Sequence, residues 1–364
     1  MKSTMLQQVM EAPRKITFRT VPVPQPQRGQ VLIEVKRIGI CGSDIHVYHG
    51  MHPFTSYPIT QGHELSGQIV ALGADVSDFT VGQRVTIEPQ VFCGKCYPCR
   101  HGKYNLCDEL KVMGFQTTGA CSTYFAVDAA KVDLLPDDVS YDEGAMIEPL
   151  AVTVHAAKQF ADIQGANVAI LGAGPIGILL AQSVKALGAR QVLITDVSDY
   201  RLSVAKSVDF TVNTANSNFG DALIAAFGAD KADVIYDCAG NDVTMGQAIR
   251  YARKGSTIIL VAVFAKMASV DLAVLNDHEL DLNTTMMYRH EDYVDAISFV
   301  HKGLVQLKPL MSRHFPFRAF HDAYVYIDEN REKTMKVLID VDDLREDNLS
   351  PASGPDLKPA IDHI

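Results

Sequence analysis

Four cysteines of the 364-residue chain fall within one short stretch, CGKCYPCRHGKYNLC: Cys93, Cys96, Cys99 and Cys107. Four thiolates so close in sequence can close a tetrahedral shell around zinc and leave no coordination position for a substrate. A redox CxxC pair would open a helix in a thioredoxin-like unit, whereas Gly94, Pro98 and Gly102 make this segment a folded-back loop. The opening MKSTMLQQVMEAPRKITFRT contains no apolar h-region, which points to a cytoplasmic chain whose thiols stay reduced rather than paired as disulfides. The loop is therefore predicted to be a structural zinc clip, and the chemistry must lie elsewhere.

A second set of residues can supply it. Cys41 ends a strand-like run in GICGSDIH, and GHELSG places His63 and Glu64 a little over twenty residues later, beside glycines that let the chain fold tightly. Glu148, in MIEPLAV, sits where the texture of the chain changes. Thiolate, imidazole and carboxylate form a mixed shell that can hold zinc with one position open for water or an alcohol.

A third set suits a dinucleotide. GAGPIG contributes Gly172, Gly174 and Gly177, with Pro175 and Ile176 between the last two, after an apolar strand and at the start of a helix. The first glycine makes the turn, the second lets the backbone approach a pyrophosphate, and the third lets helix and strand pack closely. The run QVLITD then places Asp196 at the end of the next strand, where a carboxylate can take the adenosine ribose hydroxyls and repel a 2′-phosphate. NAD is thus expected rather than NADP. Arg201 reads as a residue stacking under the adenine, as one accommodating that phosphate, or as an ordinary surface helix position.

The elements that must position these groups separate into two textures. The N-terminal part reads as short β segments broken by turns, QVLIEVKRIGI, SGQIVALG and QRVTIEP, as in an irregular β-barrel. From about Gly165, buried strands alternate with helical segments, the pattern of a parallel α/β domain. After Tyr288, YVDAISFVHKGL, FHDAYVYIDENRE and KVLIDVD are expected to return to the first domain. The predicted organisation is a catalytic domain at 1–155, a nucleotide-binding domain at 156–287, a return segment at 288–343 and a solvated tail at 344–364. With 43 acidic against 33 basic side chains and no long basic run, nucleic acid is an unfavourable partner. The most apolar stretch is too short and too interrupted by glycine to cross a membrane comfortably.

Taken in order, CGSD, GHE, the CxxCxxC loop with its fourth cysteine, IEP and GAGPIG resemble the zinc-dependent medium-chain dehydrogenases over nearly the whole chain. IEPQV, GKYNLC, EGAMIEPLAV, TDVSDYRL and LKPLMSRHFPF are most similar to the sorbitol (polyol) and sugar-acid branch. The resemblance implies an α/β plus β architecture: a GroES-like catalytic domain, a Rossmann domain, catalytic and structural zinc, NAD, and a homodimer or homotetramer. It implies Cys41 and His63 as ligands, with Glu64 or Glu148 as the third, and Asp44 behind His63. It further implies Ser43 and His46 as a proton relay, and oxidation of a secondary alcohol of a polyol or sugar acid to a ketone. Where relatives follow the relay histidine with a tyrosine, this chain has Val47 and then Tyr48. Where they carry Arg-Tyr, it has Tyr288 and Arg289. Tyr48 and Arg289 are the candidate substrate contacts.

A threonine-dehydrogenase-like activity or a sugar-alcohol-phosphate dehydrogenase is the enzymatic alternative, and a zinc-binding scaffold the non-enzymatic one. A scaffold has no use for Cys41, Ser43, His46, His63 and Glu64 together. His49, His52, His101, Cys121 and Cys238 belong to no motif and read as structural.

Overall fold

The computed structural model describes residues 3–264 and 266–342, so the tail expected at 344–364 lies outside the described residues. The strand Gln30–Ile40 is the hub of the first domain. It alternates well enough to bury Val31, Ile33, Val35 and Ile38 on one core, and it pairs with Glu64–Leu72, Tyr124–Asp128 and Lys336–Asp340. Register shifts at Leu32/Ile33 and Val35/Arg37 bend it, which lets one strand serve three neighbours in a curved, barrel-like sheet. That sheet has seven strands, and Met311–Pro316 and Lys336–Asp340 at its far edge come from the C-terminal part of the chain.

The second domain is a six-stranded sheet paired in parallel throughout. Its order is Phe210–Asn213, Gln191–Asp196, Asn167–Leu171, Val234–Asp237, Thr257–Leu260, Asp281–Thr284. This is the doubly wound Rossmann order, whose switch point beside the first strand is where a dinucleotide crosses. Asn167–Leu171 is buried at every position, as a central strand covered by helices on both faces must be.

One segment bridges the two domains. The helix His290–His301, assigned above to the return segment, lies against the helix Ile147–Lys158. Its apolar side, Tyr293, Ala296, Phe299 and Val300, joins the core cluster that holds Leu150, Val154, Ile178 and Leu179. The same helix also reaches the first domain, with the Tyr293 hydroxyl donating to the Ile87 carbonyl at 2.6 Å and His290 Nδ1 lying 2.6 Å from Glu88. Periodicity showed an amphipathic helix but could not show which of two apolar surfaces it would cover.

Asp292 fixes this packing. It is fully buried and accepts from His155 Nδ1 at 2.7 Å, Lys158 Nζ at 2.7 Å and the Arg289 amide at 2.9 Å. Burial by itself raises its pKa, but the hydrogen bonds from His155 and Lys158 outweigh this and hold the carboxylate below its usual range. The stability it contributes is then present above the ordinary aspartate pKa of about 3.9 and lost as pH falls through the lower folded value. Asp292→Asn is expected to cost roughly 1–3 kcal/mol near neutrality. Denaturant titrations of both proteins should show that gap closing in acid.

Candidate active site

Cys41 follows the hub strand and caps the short helix Gly42–Tyr48. Asp44, in the first turn of that helix, reaches back so that its Oδ2 accepts the Cys41 amide at 3.0 Å. Its Oδ1 accepts from Gln61 Nε2 at 3.1 Å, and Gln61 Oε1 in turn accepts from the Tyr324 hydroxyl at 3.0 Å. Burial raises the Asp44 pKa, with His63 opposing. One side chain thus ties the Cys41 turn to the segment that carries His63.

His63 Nδ1 lies 3.7 Å from Asp44 Oδ1 and is a buried nitrogen with no hydrogen-bond partner among the described residues. Burial lowers the pKa of this imidazole, yet Asp44, Cys41 and Glu148 together raise it well above its usual value. The pocket is rich in anionic groups and short of cations. Cys41, His63 and Glu64 place one ligand atom each within 4.8 Å of one another. This sulfur, nitrogen and oxygen donor set fits a zinc with room for a further ligand.

Glu64 opens the strand Glu64–Leu72 directly opposite Gly39. A Cβ at Gly39 would stand 2.1 Å from Glu64 Oε2, so only glycine leaves space for the carboxylate. Lys336, almost fully buried on the C-terminal strand, donates to both Glu64 oxygens at 2.7 Å and to the Ile40 carbonyl at 3.3 Å. Burial pulls its pKa down, but Glu64 and Cys41 reverse this and raise it. Glu148 approaches from the first turn of Ile147–Lys158. It accepts from the Tyr288 hydroxyl at 2.8 Å, and burial, with Glu64 adding to the effect against His63, pushes its pKa up to about 7.

The remaining sequence candidates separate. Ser43 is half-buried and His46 exposed, and neither side chain makes a hydrogen bond among the described residues. Tyr48 is not brought to the metal cluster: its ring is buried in the core and stacks on Tyr324 at 4.5 Å. It belongs to the support beneath Asp44, because the helix turns it inward. Arg289 instead starts the helix His290–His301, with Nε 3.1 Å from Glu291, while its neighbour Tyr288 is the residue that reaches Glu148. Sequence reasoning missed Gln61, Tyr324 and Lys336 as supports. Only the position of Gln61 immediately before GHE hinted at a role.

The four-cysteine loop is compact, with one Sγ from each residue within 4.8 Å of the others. Cys96 and Cys107 sulfurs stand 3.8 Å apart, the edge expected of a tetrahedron with Zn–S of about 2.3 Å. Backbone amides of Cys93 and Glu109 point at Cys107 Sγ at 3.3 Å, further stabilising a thiolate. At the dinucleotide turn, Gly172 has φ +100°, and a Cβ on Gly177 would lie 1.9 Å from the Gly172 carbonyl oxygen. Gly174 caps the helix Pro175–Ala186, with open space where its Cβ would be, as close approach of a pyrophosphate needs. Asp196 accepts from the amides of Ala173 at 2.8 Å and Ser198 at 2.9 Å. Arg201 reaches across to the Arg331 carbonyl at 3.4 Å and lies 3.9 Å from Asp196.

Residues 27–137 match the alcohol dehydrogenase GroES-like domain, and residues 175–302 match the zinc-binding dehydrogenase family. The chain is 33% identical to the sorbitol dehydrogenase of Bacillus subtilis (strain 168), over 91% of this chain and 96% of that one. It is 31% identical to the L-galactonate-5-dehydrogenase of Escherichia coli (strain K12), over 88% and 95% respectively. The crystal structure of the RspB alcohol dehydrogenase from Escherichia coli CFT073 with NADH superposes with a TM-score of 0.87 at 30% identity, covering 93% of this chain and 100% of that one. The chain belongs to the zinc-dependent medium-chain dehydrogenases. Within that superfamily it falls among the relatives of polyol and sugar-acid dehydrogenases.

Without the metal, replacing Lys336 with methionine leaves Glu64 charged, buried and unpaired. Breaking a buried pair this way typically costs about 3–5 kcal/mol. A fall of that size in chemical denaturation of the chelator-treated protein is the expected outcome.

Proposed function

We propose that this protein reversibly oxidises a secondary alcohol of a polyol or sugar acid to a ketone, with NAD as hydride acceptor. The observation that carries this reading is the mixed cluster of Cys41, His63 and Glu64, distinct from the four-thiolate loop and accompanied by a dinucleotide turn. Relatives named for sorbitol, L-galactonate and L-idonate support the substrate class.

Cys41, His63 and Glu64 would hold the catalytic zinc, with Glu148 beside them. Zinc would supply Lewis-acid polarisation of the substrate hydroxyl, and NAD the two-electron oxidant. The chain's own residues do the rest. Asp44 fixes the Cys41 turn and faces His63 Nδ1 at 3.7 Å, where its carboxylate would favour the imidazole tautomer suited to metal binding. Ser43 and the exposed His46 lie on the same short helix as Asp44 and offer a route for the hydroxyl proton to solvent. Asp196, held by two backbone amides, would take the adenosine ribose hydroxyls and repel a 2′-phosphate.

The assembly is proposed to be a homodimer or homotetramer. The outer strand of the parallel sheet, Asp281–Thr284, has every residue exposed and an open edge. A cytoplasmic setting is proposed from the free thiols. Among the described residues, no helix is long and apolar enough to cross a membrane.

NADH absorbance, followed with a panel of polyols, aldonates and threonine, tests the activity. Turnover on a polyol or sugar acid that chelator abolishes supports it, and turnover on threonine alone overturns the substrate class. His63→Ala is expected to abolish turnover with the melting temperature nearly unchanged, whereas Cys93→Ser is expected to lose one zinc per chain and melt earlier. Asp196→Ser is expected to narrow the preference for NAD over NADP by at least about tenfold, through removal of one charge-repulsive contact.

A further inference from the structure

His52 lies outside every motif, yet the fold brings it to the active site. Its ring stacks on Phe115 with centroids 4.8 Å apart and planes 12° from parallel. Phe115 is buried and packs at 4.8 Å against the ring of His63. His52 is therefore one aromatic ring removed from a residue of the metal cluster. The stack and a 2.7 Å hydrogen bond between its Nδ1 and Thr55 Oγ1 fix the ring in place. The segment carrying it is tied down by Gln116, whose Nε2 donates to the Phe54 carbonyl at 3.3 Å.

A side chain held by two independent contacts usually has all its polar atoms satisfied. Here Nε2 has no hydrogen-bond partner among the described residues, and it is not among the sealed-off polar atoms. The half-buried ring thus keeps one nitrogen available to whatever enters beside Phe115. Burial, with His46 and His63 adding to it, lowers the His52 pKa, so the neutral ring can donate or accept at Nε2 according to its tautomer.

The geometry points to His52 as a specificity-determining residue that hydrogen-bonds, through Nε2, a hydroxyl or carboxylate oxygen of the substrate remote from the reacting carbon. This inference rests on the dehydrogenase reading above and names the part of the site that would prefer a polyhydroxylated chain to a short alcohol. Phe115 supplies an apolar floor between the reacting end at His63 and the recognition point at His52. A simple secondary alcohol reaches only the first, whereas a sugar-length substrate spans both. A site built to hydrogen-bond a hydroxyl discriminates against analogues lacking it, because its polar atom is then left unpaired.

The test compares His52→Phe, which keeps the ring stack and removes the nitrogens, with His52→Gln, which keeps a hydrogen-bonding group. Both are assayed with the best polyol or sugar acid of the panel and with 2-propanol as a short secondary alcohol, after zinc content and melting temperature are matched to wild type. The expected result is a KM for the polyol or sugar acid raised about tenfold in His52→Phe, the worth of one hydrogen bond. In that variant kcat stays within about twofold, 2-propanol is unaffected, and His52→Gln recovers part of the loss. An unchanged KM in His52→Phe, or an equal loss on 2-propanol, overturns the assignment of His52 while leaving the dehydrogenase intact. A wild-type enzyme idle on every alcohol overturns the underlying reading, and this inference with it.

Discussion

At the end of one bent strand, Cys41, Asp44, Glu64 and Glu148 bring four acidic groups around a single imidazole in a largely buried pocket. Charges of one sign cannot be gathered out of water unless something opposite is gathered with them. Lys336 answers for one, with both oxygens of Glu64 on its ammonium. Burial raises the pKa of Asp44 and of Glu148, which eases the repulsion among the rest. The outstanding demand is for a cation between Cys41 and His63, and a soft divalent metal meets it. Much of the surrounding architecture serves this arrangement.

The catalytic sheet is one such consequence. Its hub strand ends at Cys41 and bends enough to put Glu64 across from Gly39 on one side and the C-terminal strand on the other. The chain must therefore return after the nucleotide domain, because Lys336 is delivered on that last strand. A discontinuous domain is the topological result of needing its first and last segments at the same metal.

The junction with the nucleotide domain is built from hydrogen bonds that end near the chemistry. Gln90 donates to the Tyr288 carbonyl at 2.9 Å, Tyr293 to the Ile87 carbonyl at 2.6 Å, and Tyr288 to Glu148 at 2.8 Å. Asp292 secures the helix carrying Tyr293 against the helix carrying Glu148. The helix His290–His301 thus couples the position of the dinucleotide fold to the acid beside the metal, which is why it packs where it does.

Local chemistry made much of this legible in the linear chain. Cys93, Cys96, Cys99 and Cys107 are close enough in sequence that a short loop alone can bring them together, and the glycines of GAGPIG state their backbone demands wherever they occur. The parallel domain was readable because buried strands and amphipathic helices alternate with distinct periods. Tertiary structure decided everything that depends on which distant surfaces meet. Lys336 sits 272 positions from Glu64, in a short strand buried at four successive positions, where nothing local singles out the lysine. By sequence Tyr48 is a candidate substrate contact and Tyr288 the neighbour of the other, Arg289, but a helical turn sends Tyr48 into the core and the chain entry to another helix sends Tyr288 to Glu148. His52 has no motif at all. Its place beside Phe115 and His63 arises from three segments folding together, a relation that spacing along the chain does not encode.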